Sequence, residues 1–409
     1  MIQENIHVAR QPIFDAKLNV FGYELLFRNS FINSCDILDG DQATLDVITS
    51  SFLMIGIDTL TYGKKAFINF TANSLKNNIP SMLPKELIGI ELLENIKPDE
   101  EIIDTCKKLK ETGYLLILDD FTFNPEYLPL IKLADIIKID FRSTPSNERK
   151  QIIQRLCNYP IKFLAEKVET QEEFQDAIHM GYSYFQGYFF CKPLIVSGKT
   201  LPIYKTNYLR ILGEINKPEL DFKKIEAIIK QDVSLSYKLL KFINSSIFGF
   251  KTKISSLQHA LTLLGQNELI KWISLIALKG VADDKPGELI LNSLIRARFA
   301  EKLASAKLSK QHTSDAFLMG MLSHIDVLLD RPLHAVLAEI PLDEAIKQAL
   351  LENEHNQFFV LYKLIRTYEA GAWEDYSKYV NEFEMSEYDV LKAYRESLIW
   401  AHDLMMFNY

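Results

Sequence analysis

The sequence predicts an α/β barrel, a modified TIM barrel, followed by an all-α domain. Three observations carry this. The first half alternates short β-rich runs with amphipathic stretches, the pattern of parallel strands joined by crossover helices. Roughly seven or eight such units fit within about 195 residues, as in a small barrel. After Leu194 nearly every apolar run has helical spacing instead. With 409 residues the chain is too long for one ordinary core. The Ser-, Gly- and Pro-containing stretch Val196–Pro202 marks the boundary, giving domains 1–197 and 198–409.

The β-rich runs are Val20–Phe27, Ala66–Phe70, Ile88–Leu92, Tyr114–Leu118, Ile136–Ile139, Lys162–Ala165 and Tyr184–Phe189. Asp41–Ile55 has apolar residues at helical spacing. Pro98–Lys110 is a second helix: Pro98 suits the first turn, Asp99, Glu100 and Glu101 favour the positive helix end, and Gly113 stops it. A third opens on the capping box Thr170 and Glu173 and stops at Gly181. Beyond the boundary, Ile225–Ile229, Leu235–Phe242, Leu257–Leu264, Leu269–Ala277 and Asn292–Lys307 have helical spacing, and the aromatic-rich tail Glu352–Tyr409 is expected to be helical too.

Composition limits the function. The apolar fraction of 48% is ordinary for a globular protein, and no run of eighteen apolar residues occurs. The opening MIQENIHVARQPIF lacks a basic stretch followed by an apolar one, so no export signal is expected. Cys35, Cys106, Cys157 and Cys191 fit no zinc or disulfide spacing, which suggests a reduced, cytoplasmic protein. A net charge of −8 argues against direct nucleic-acid binding. The basic cluster Lys107-Lys108-Leu109-Lys110 is best taken as a solvated helix face. No membrane association is expected.

Polar residues interrupt the β-rich runs in a regular way. Glu24 and Gln186 lie within their runs, and Asn69, Glu91, Asp119 with Asp120, Lys138 and Glu166 fall near the C-terminal ends of theirs, so nearly every run places a polar group toward the end where barrels of this type build their sites. Isolated polar groups in apolar runs are costly unless paired or ligated. Carboxylates converging from several strands repel each other, and hard divalent cations resolve the repulsion. Oxygen-only ligands suit Mg²⁺ or Mn²⁺ better than zinc. The doublet Asp119-Asp120 suits bridging two metals, an arrangement that clamps the attacking and leaving oxygens of a phosphodiester. Lys138 could orient or help activate the attacking water. Any barrel mouth is polar, so no single residue here is diagnostic; the ordered set is.

In that order the residues resemble the EAL domain, the cyclic di-GMP phosphodiesterase domain of bacterial signalling proteins, over roughly residues 5–195. The motifs are Gln11-Pro12-Ile13, Glu24-Leu25-Leu26-Phe27-Arg28, Asn69-Phe70-Thr71, Glu91-Leu92-Leu93-Glu94, Asp119-Asp120-Phe121, Lys138-Ile139-Asp140, Ala165-Glu166-Lys167-Val168-Glu169-Thr170, and Gln186-Gly187-Tyr188-Phe189-Phe190 with Lys192-Pro193. The resemblance implies that Glu24, Asn69, Glu91, Asp119, Asp120 and also Glu166 are metal ligands. It implies that Lys138 and Glu166 serve the chemistry, that Gln11, Arg28, Asp140, Gln186 and Pro193 contact the dinucleotide, and that Glu94 supports a loop. The product would be linear pGpG. Two departures stand out. Thr122-Phe123-Asn124-Pro125-Glu126-Tyr127 replaces a glycine-bearing loop that shapes the metal site and the dimer contact, and Lys167 replaces another glycine. That loop must follow another path. Two readings therefore stay open: an active phosphodiesterase, and a catalytically inactive sensor or scaffold.

The second half resembles the HDOD domain, an all-α relative of the HD phosphohydrolases without their metal site. Ile228–Leu240, Phe242-Ile243-Asn244-Ser245-Ser246 and Ile254–Leu261 with Leu264-Gly265 carry the resemblance, which is good over about 200–280 and weaker beyond. An HD site needs adjacent His and Asp, whereas Ser323-His324-Ile325-Asp326 separates them, so His324 is expected to be structural. Asn244 and Ser245 are expected to cap a helix terminus. The half reads as a module for binding a protein partner, with Phe248 and Phe250 as a docking patch or as core; a homodimer is left open. Nothing resembles a synthase domain.

Overall fold

The computed structural model describes residues 6–29, 56–187, 189 and 286–406 apart from 330 and 341, with isolated positions between 224 and 272. The expected helix Asp41–Ile55, the boundary Val196–Pro202, Asn244, Ser245, Phe248, Phe250 and Pro193 lie outside the described residues, as do most of the helical runs between 225 and 277.

Eight strands close a barrel in the order β1 to β8. They are β1 (Ile6–Asp15), β2 (Val20–Asn29), β3 (Lys65–Phe70), β4 (Ile88–Leu92), β5 (Leu115–Leu118), β6 (Ile136–Asp140), β7 (Lys162–Glu166) and β8 (Tyr184–Phe185). From β2 to β8 all neighbours are parallel. β1 is antiparallel to both β2 and β8, so the barrel is not uniformly parallel as the alternation alone suggested. β1 was absent from the expected strands, and β8 is shorter than the expected Tyr184–Phe189.

Crossover helices follow most strands: α1 (Ile57–Thr61), α2 (Ala72–Lys76), α3 (Glu100–Thr112), α4 (Leu128–Ile131), α5 (Ser146–Leu156) and α6 (Gln171–Met180). Asp99, not Pro98, begins α3: its side chain accepts from Ile102 N, and Gly113 caps the other end. The face Ile102, Cys106 and Leu109 is buried, each side chain worth roughly 1.5–3 kcal/mol of transfer free energy where it is large and apolar. The capping box of Thr170 and Glu173 and the stop at Gly181 form as expected.

Inside the barrel one apolar layer contains Ile13, Phe67, Ile117, Ile136, Leu164 and Tyr184. Large side chains fit because a neighbour is small: a Cβ at Gly22 would lie 2.6 Å from the Phe67 ring. Side chains in a strand repeat with period two. The next inward residues are therefore Asn69, Asp119, Lys138, Glu166 and Gln186, a polar layer one step nearer the C-terminal ends. Gln11 lies two before Ile13 because β1 runs the other way.

Met1–Lys192 and Arg366–Arg395 form one compact unit. The sequence division had put the latter segment in the second half. The reason for the difference is visible: Tyr368 is fully buried, its hydroxyl donates to Val8 O at 3.1 Å, and Gly371 packs against Leu26. Tyr368 packs edge-to-face with Trp373 and Tyr376 and tilted against Tyr394 in an aromatic cluster.

The other unit, Pro193–Ile365 with Glu396–Tyr409, is helical where described. The described helices from residue 287 onward are α7 (Gly287–Lys307), α8 (Lys310–Leu322), α9 (Ile325–Leu329), α10 (Leu333–Glu339), α11 (Glu344–Leu350), α12 (Gln357–Glu369), α13 (Trp373–Glu382) and α14 (Glu387–Met406), of which α13, the end of α12 and the first half of α14 belong to the barrel unit. α7 starts five residues before the expected Asn292. His324 is buried, with Nδ1 3.2 Å from Ser293 Oγ, the structural setting expected of it. Among the described residues no helix is long and apolar enough to cross a membrane.

Candidate functional site

The polar layer is the candidate site. β2 supplies Glu24, β3 Asn69, β4 Glu91, β5 leads into Asp119 and Asp120, β6 supplies Lys138 and Asp140, β7 Glu166, and Gln186 follows β8. Register pairs hold neighbours side by side: Gln11 with Glu24, Asn69 with Glu91, Asp140 with Glu166. β4 and β6 are buried along their whole length, so Glu91 and Lys138 have no route to water except through the barrel end.

Lys138 is the centre. Its Nζ lies 2.8 Å from Asp119 Oδ1, 2.9 Å from Glu166 Oε1, 3.2 Å from Glu91 Oε1 and 3.3 Å from Glu24 Oε2. Gln186 Nε2 donates to Glu24 Oε2 at 2.7 Å and to Gln11 Oε1 at 3.1 Å. Asn69 Nδ2 reaches Glu24 Oε1 at 3.5 Å, and Gln11 Nε2 reaches Ala370 O at the same distance.

Four carboxylates around one ammonium leave an excess of negative charge. Burial pushes Glu166 up to about 8; Lys138 opposes this, while Asp119 and Glu24 add to it. Burial likewise drives Glu91 well above the usual carboxylate range against Lys138, aided by Glu24, Asp119 and Glu166. Burial disfavours the Lys138 charge, but Glu166, Glu24, Glu91 and Asp119 outweigh it and raise its pKa. Asp120 is raised by burial and by Asp119.

Two carboxylate groups offer oxygens within 4.8 Å of one another: Glu24, Glu91 and Asp119, and then Asp119, Asp120 and Glu166. Asp119 belongs to both, which is the bridging position. Neither Glu91 oxygen accepts an aligned hydrogen bond, and nor does Asp119 Oδ1, despite the nearby ammonium. Buried carboxylate oxygens without directed donors, in an oxygen-only set, fit a hard divalent cation. Asp120 holds a left-handed backbone, φ 41°, which turns its side chain out of the strand alternation directly after Asp119.

Asp140 is already engaged. Its Oδ1 accepts from Arg142 N at 2.6 Å and Ser143 N at 3.2 Å, and its Oδ2 from Lys167 Nζ at 2.5 Å. Arg142 in turn pairs with Glu169. Arg28 sits opposite His7 in the β1–β2 ladder, but its side chain lies outside the described residues, as does Pro193. Glu94 is exposed, and its carbonyl accepts from Tyr127 Oη at 3.0 Å. That bond ties the divergent loop down. Asn124 caps a short 3-10 turn, Pro125–Tyr127, that runs into α4. Loop and strand ends enclose a cavity of about 180 Å³ lined by Leu93, Ile96, Asp119, Asp120, Asn124 and Tyr127 among others. Sequence reasoning had noted Lys167 only as a departure and missed its pairing with Asp140. The signal was there: a cation directly after a strand-terminal carboxylate, opposite another acidic strand end.

The sequence has relatives among known families and proteins. The EAL domain family matches residues 52–193 and the HDOD domain family residues 201–358. The protein YuxH of Bacillus subtilis (strain 168) is 41% identical over 98% of this chain and 99% of its own length. The cyclic di-GMP phosphodiesterase CdgJ of Vibrio cholerae is 35% identical over 97% of this chain and 93% of its own. Among solved structures, an EAL domain protein from Listeria monocytogenes covers 46% of this chain and 87% of its own, at 23% identity and a TM-score of 0.36. The chain belongs to the family of proteins that join an EAL domain to an HDOD domain.

Proposed function

We propose that the barrel is a metal-dependent phosphodiesterase that binds cyclic di-GMP and hydrolyses it to pGpG, and that the helical half engages a protein partner. The observation that carries this reading is the pair of carboxylate groups sharing Asp119 around Lys138, in a chain that is 35% identical along nearly its whole length to a cyclic di-GMP phosphodiesterase. Glu24, Asn69, Glu91, Asp119, Asp120 and Glu166 would hold two Mg²⁺ or Mn²⁺ ions. When bound, such ions supply the positive charge that stabilises the reacting diester and generate a nucleophilic water. The protein's own groups do the rest. Lys138 Nζ, fixed by four carboxylates, orients the water from the floor of the site. Glu166, whose Oε1 lies 2.9 Å from Lys138 Nζ, helps fix that ammonium beside the water. The amides of Gln11 and Gln186 and the carbonyl-tied loop at Glu94 shape the rim, with Arg28, Asp140 and Pro193 as further dinucleotide contacts. Water adds to one phosphorus as the bond to its ester oxygen breaks, and one water proton ends on the departing ribose oxygen, so the ring opens to the linear dinucleotide.

The reading places the protein in the cytoplasm, where the free thiols Cys106 and Cys157 stay reduced. A homodimer is an accompanying expectation, checked by light scattering. The decisive experiment is product analysis of full-length protein with cyclic di-GMP and Mn²⁺ or Mg²⁺. We expect pGpG, lost in Glu91→Gln. Binding without pGpG would convert the enzyme into a sensor, and absence of binding would overturn both.

A further inference from the structure

Lys167 combines three observations. Its backbone is left-handed, φ 53°, a conformation that costs a side-chain-bearing residue roughly 1–2 kcal/mol. The chain on either side imposes it. Glu166 ends β7, Val168 N donates to Gln186 O at 3.0 Å, and Gly187 lies so close that a Cβ there would be 2.2 Å from Val168 O. The lysine side chain is about half exposed, and its Nζ is 2.5 Å from Asp140 Oδ2, itself nearly buried. An ion pair of that exposure is worth only about 0–1 kcal/mol, which does not offset the backbone cost. Stability therefore does not explain a lysine here.

The charges around it do. Asp120, Asp140 and Glu166 are the acidic neighbours of its ammonium. A phosphodiester entering this end of the barrel meets like charge from all three. Of the cations beside it, Lys138 is buried against four carboxylates and Arg142 is paired with Glu169. Lys167 spends one donor on Asp140, and an ammonium has three. Asp140, in turn, is fixed by two backbone N–H groups, so the pair is a mount and not a mobile surface contact.

We infer that Lys167 is an anion-contacting residue of this site: Asp140 holds its ammonium where it meets a phosphate oxygen of the bound cyclic dinucleotide. The inference rests on the phosphodiesterase reading and adds a residue to it. Asp140 then has a positioning role through Lys167 as well as the nucleotide contact proposed above.

The test is calorimetric binding of cyclic di-GMP to the full chain with Ca²⁺ present. Lys167→Met should weaken binding roughly ten- to a hundredfold, the worth of one charge-assisted contact. Lys167→Arg should stay within a few-fold of wild type. Lys167→Gly relieves the backbone, so it should melt no lower than wild type yet lose the same affinity, a combination that a purely structural role does not give. Affinity for Ca²⁺ alone should not fall in any of the three. Wild-type affinity in both Lys167→Met and Lys167→Gly overturns the inference and leaves the enzyme reading standing, as does a parallel loss of Ca²⁺ binding. Absence of binding by wild-type protein itself overturns the enzyme reading and this inference together.

Discussion

At Lys138 one ammonium, less than 2% exposed, faces Glu24, Glu91, Asp119 and Glu166. Removing one partner of a buried ion pair costs roughly 3–5 kcal/mol, because the remaining charges lose their counterion. Lys138→Met should therefore lower the melting temperature in EDTA, and Mn²⁺ should recover much of the loss by taking up the same charge. Thermal denaturation with and without metal checks this. Glu166 gives a pH dependence. Its folded pKa, about 8, lies above the usual carboxylate value, so the folded state holds this proton more tightly than the unfolded chain. Its stabilising contribution is present at low pH and is lost as pH rises from the ordinary carboxylate range to about 8. In EDTA, melting temperature should fall over that window, and Glu166→Gln should flatten the fall. Most of these residues were legible in the sequence, because a carboxylate or lysine inside a run such as Ile136–Asp140 has no other reason to be there. What was illegible was pairing. No spacing rule shows that Lys138 touches four acids at once, or that Lys167 reaches Asp140 across a strand gap.

Elements were read best where their stop signals are local. α3 and α6 end at Gly113 and Gly181 as expected, and Thr170 with Glu173 opens α6. Thr170→Ala should cost about 1 kcal/mol by leaving Glu173 N without its acceptor, measured by urea denaturation. β1 escaped because His7, Arg10, Gln11 and Pro12 break its apolar alternation, and a proline cannot donate to a ladder. It pairs antiparallel on both sides, a register that only closure of the barrel specifies. The turn after β8 has its own constraint. Gly187, φ 142°, allows Val168 and Gln186 to approach, and Gly187→Ala forces that contact apart. We expect a loss of at least about 1–3 kcal/mol, together with weakened Mn²⁺ binding, since Gln186 and Glu166 flank the displaced backbone. A variant with wild-type melting would show that the approach is dispensable.

For the molecule as a whole, the two families were visible in the sequence, but the membership of the compact units was not. An aromatic-rich tail gives helical periodicity without naming the surface it covers. Tyr368, Tyr376 and Tyr394 are buried together in the barrel unit. Tyr368→Phe removes the donor to Val8 O and should cost about 1 kcal/mol. A fragment of residues 1–197 lacks Arg366–Arg395 altogether, and should melt below the full chain by calorimetry; equal melting would make the first 197 residues self-sufficient. The same segment has a consequence for biosynthesis. The barrel strands leave the ribosome first, yet their unit is unfinished until Arg395 has been made. At roughly 5–20 residues per second, translating the intervening stretch takes on the order of ten to forty seconds. Throughout that interval the surface around Val8 and Leu26 waits uncovered, so a stop codon that removes only the last helices would strike the nascent barrel, the part of the chain farthest from the mutation.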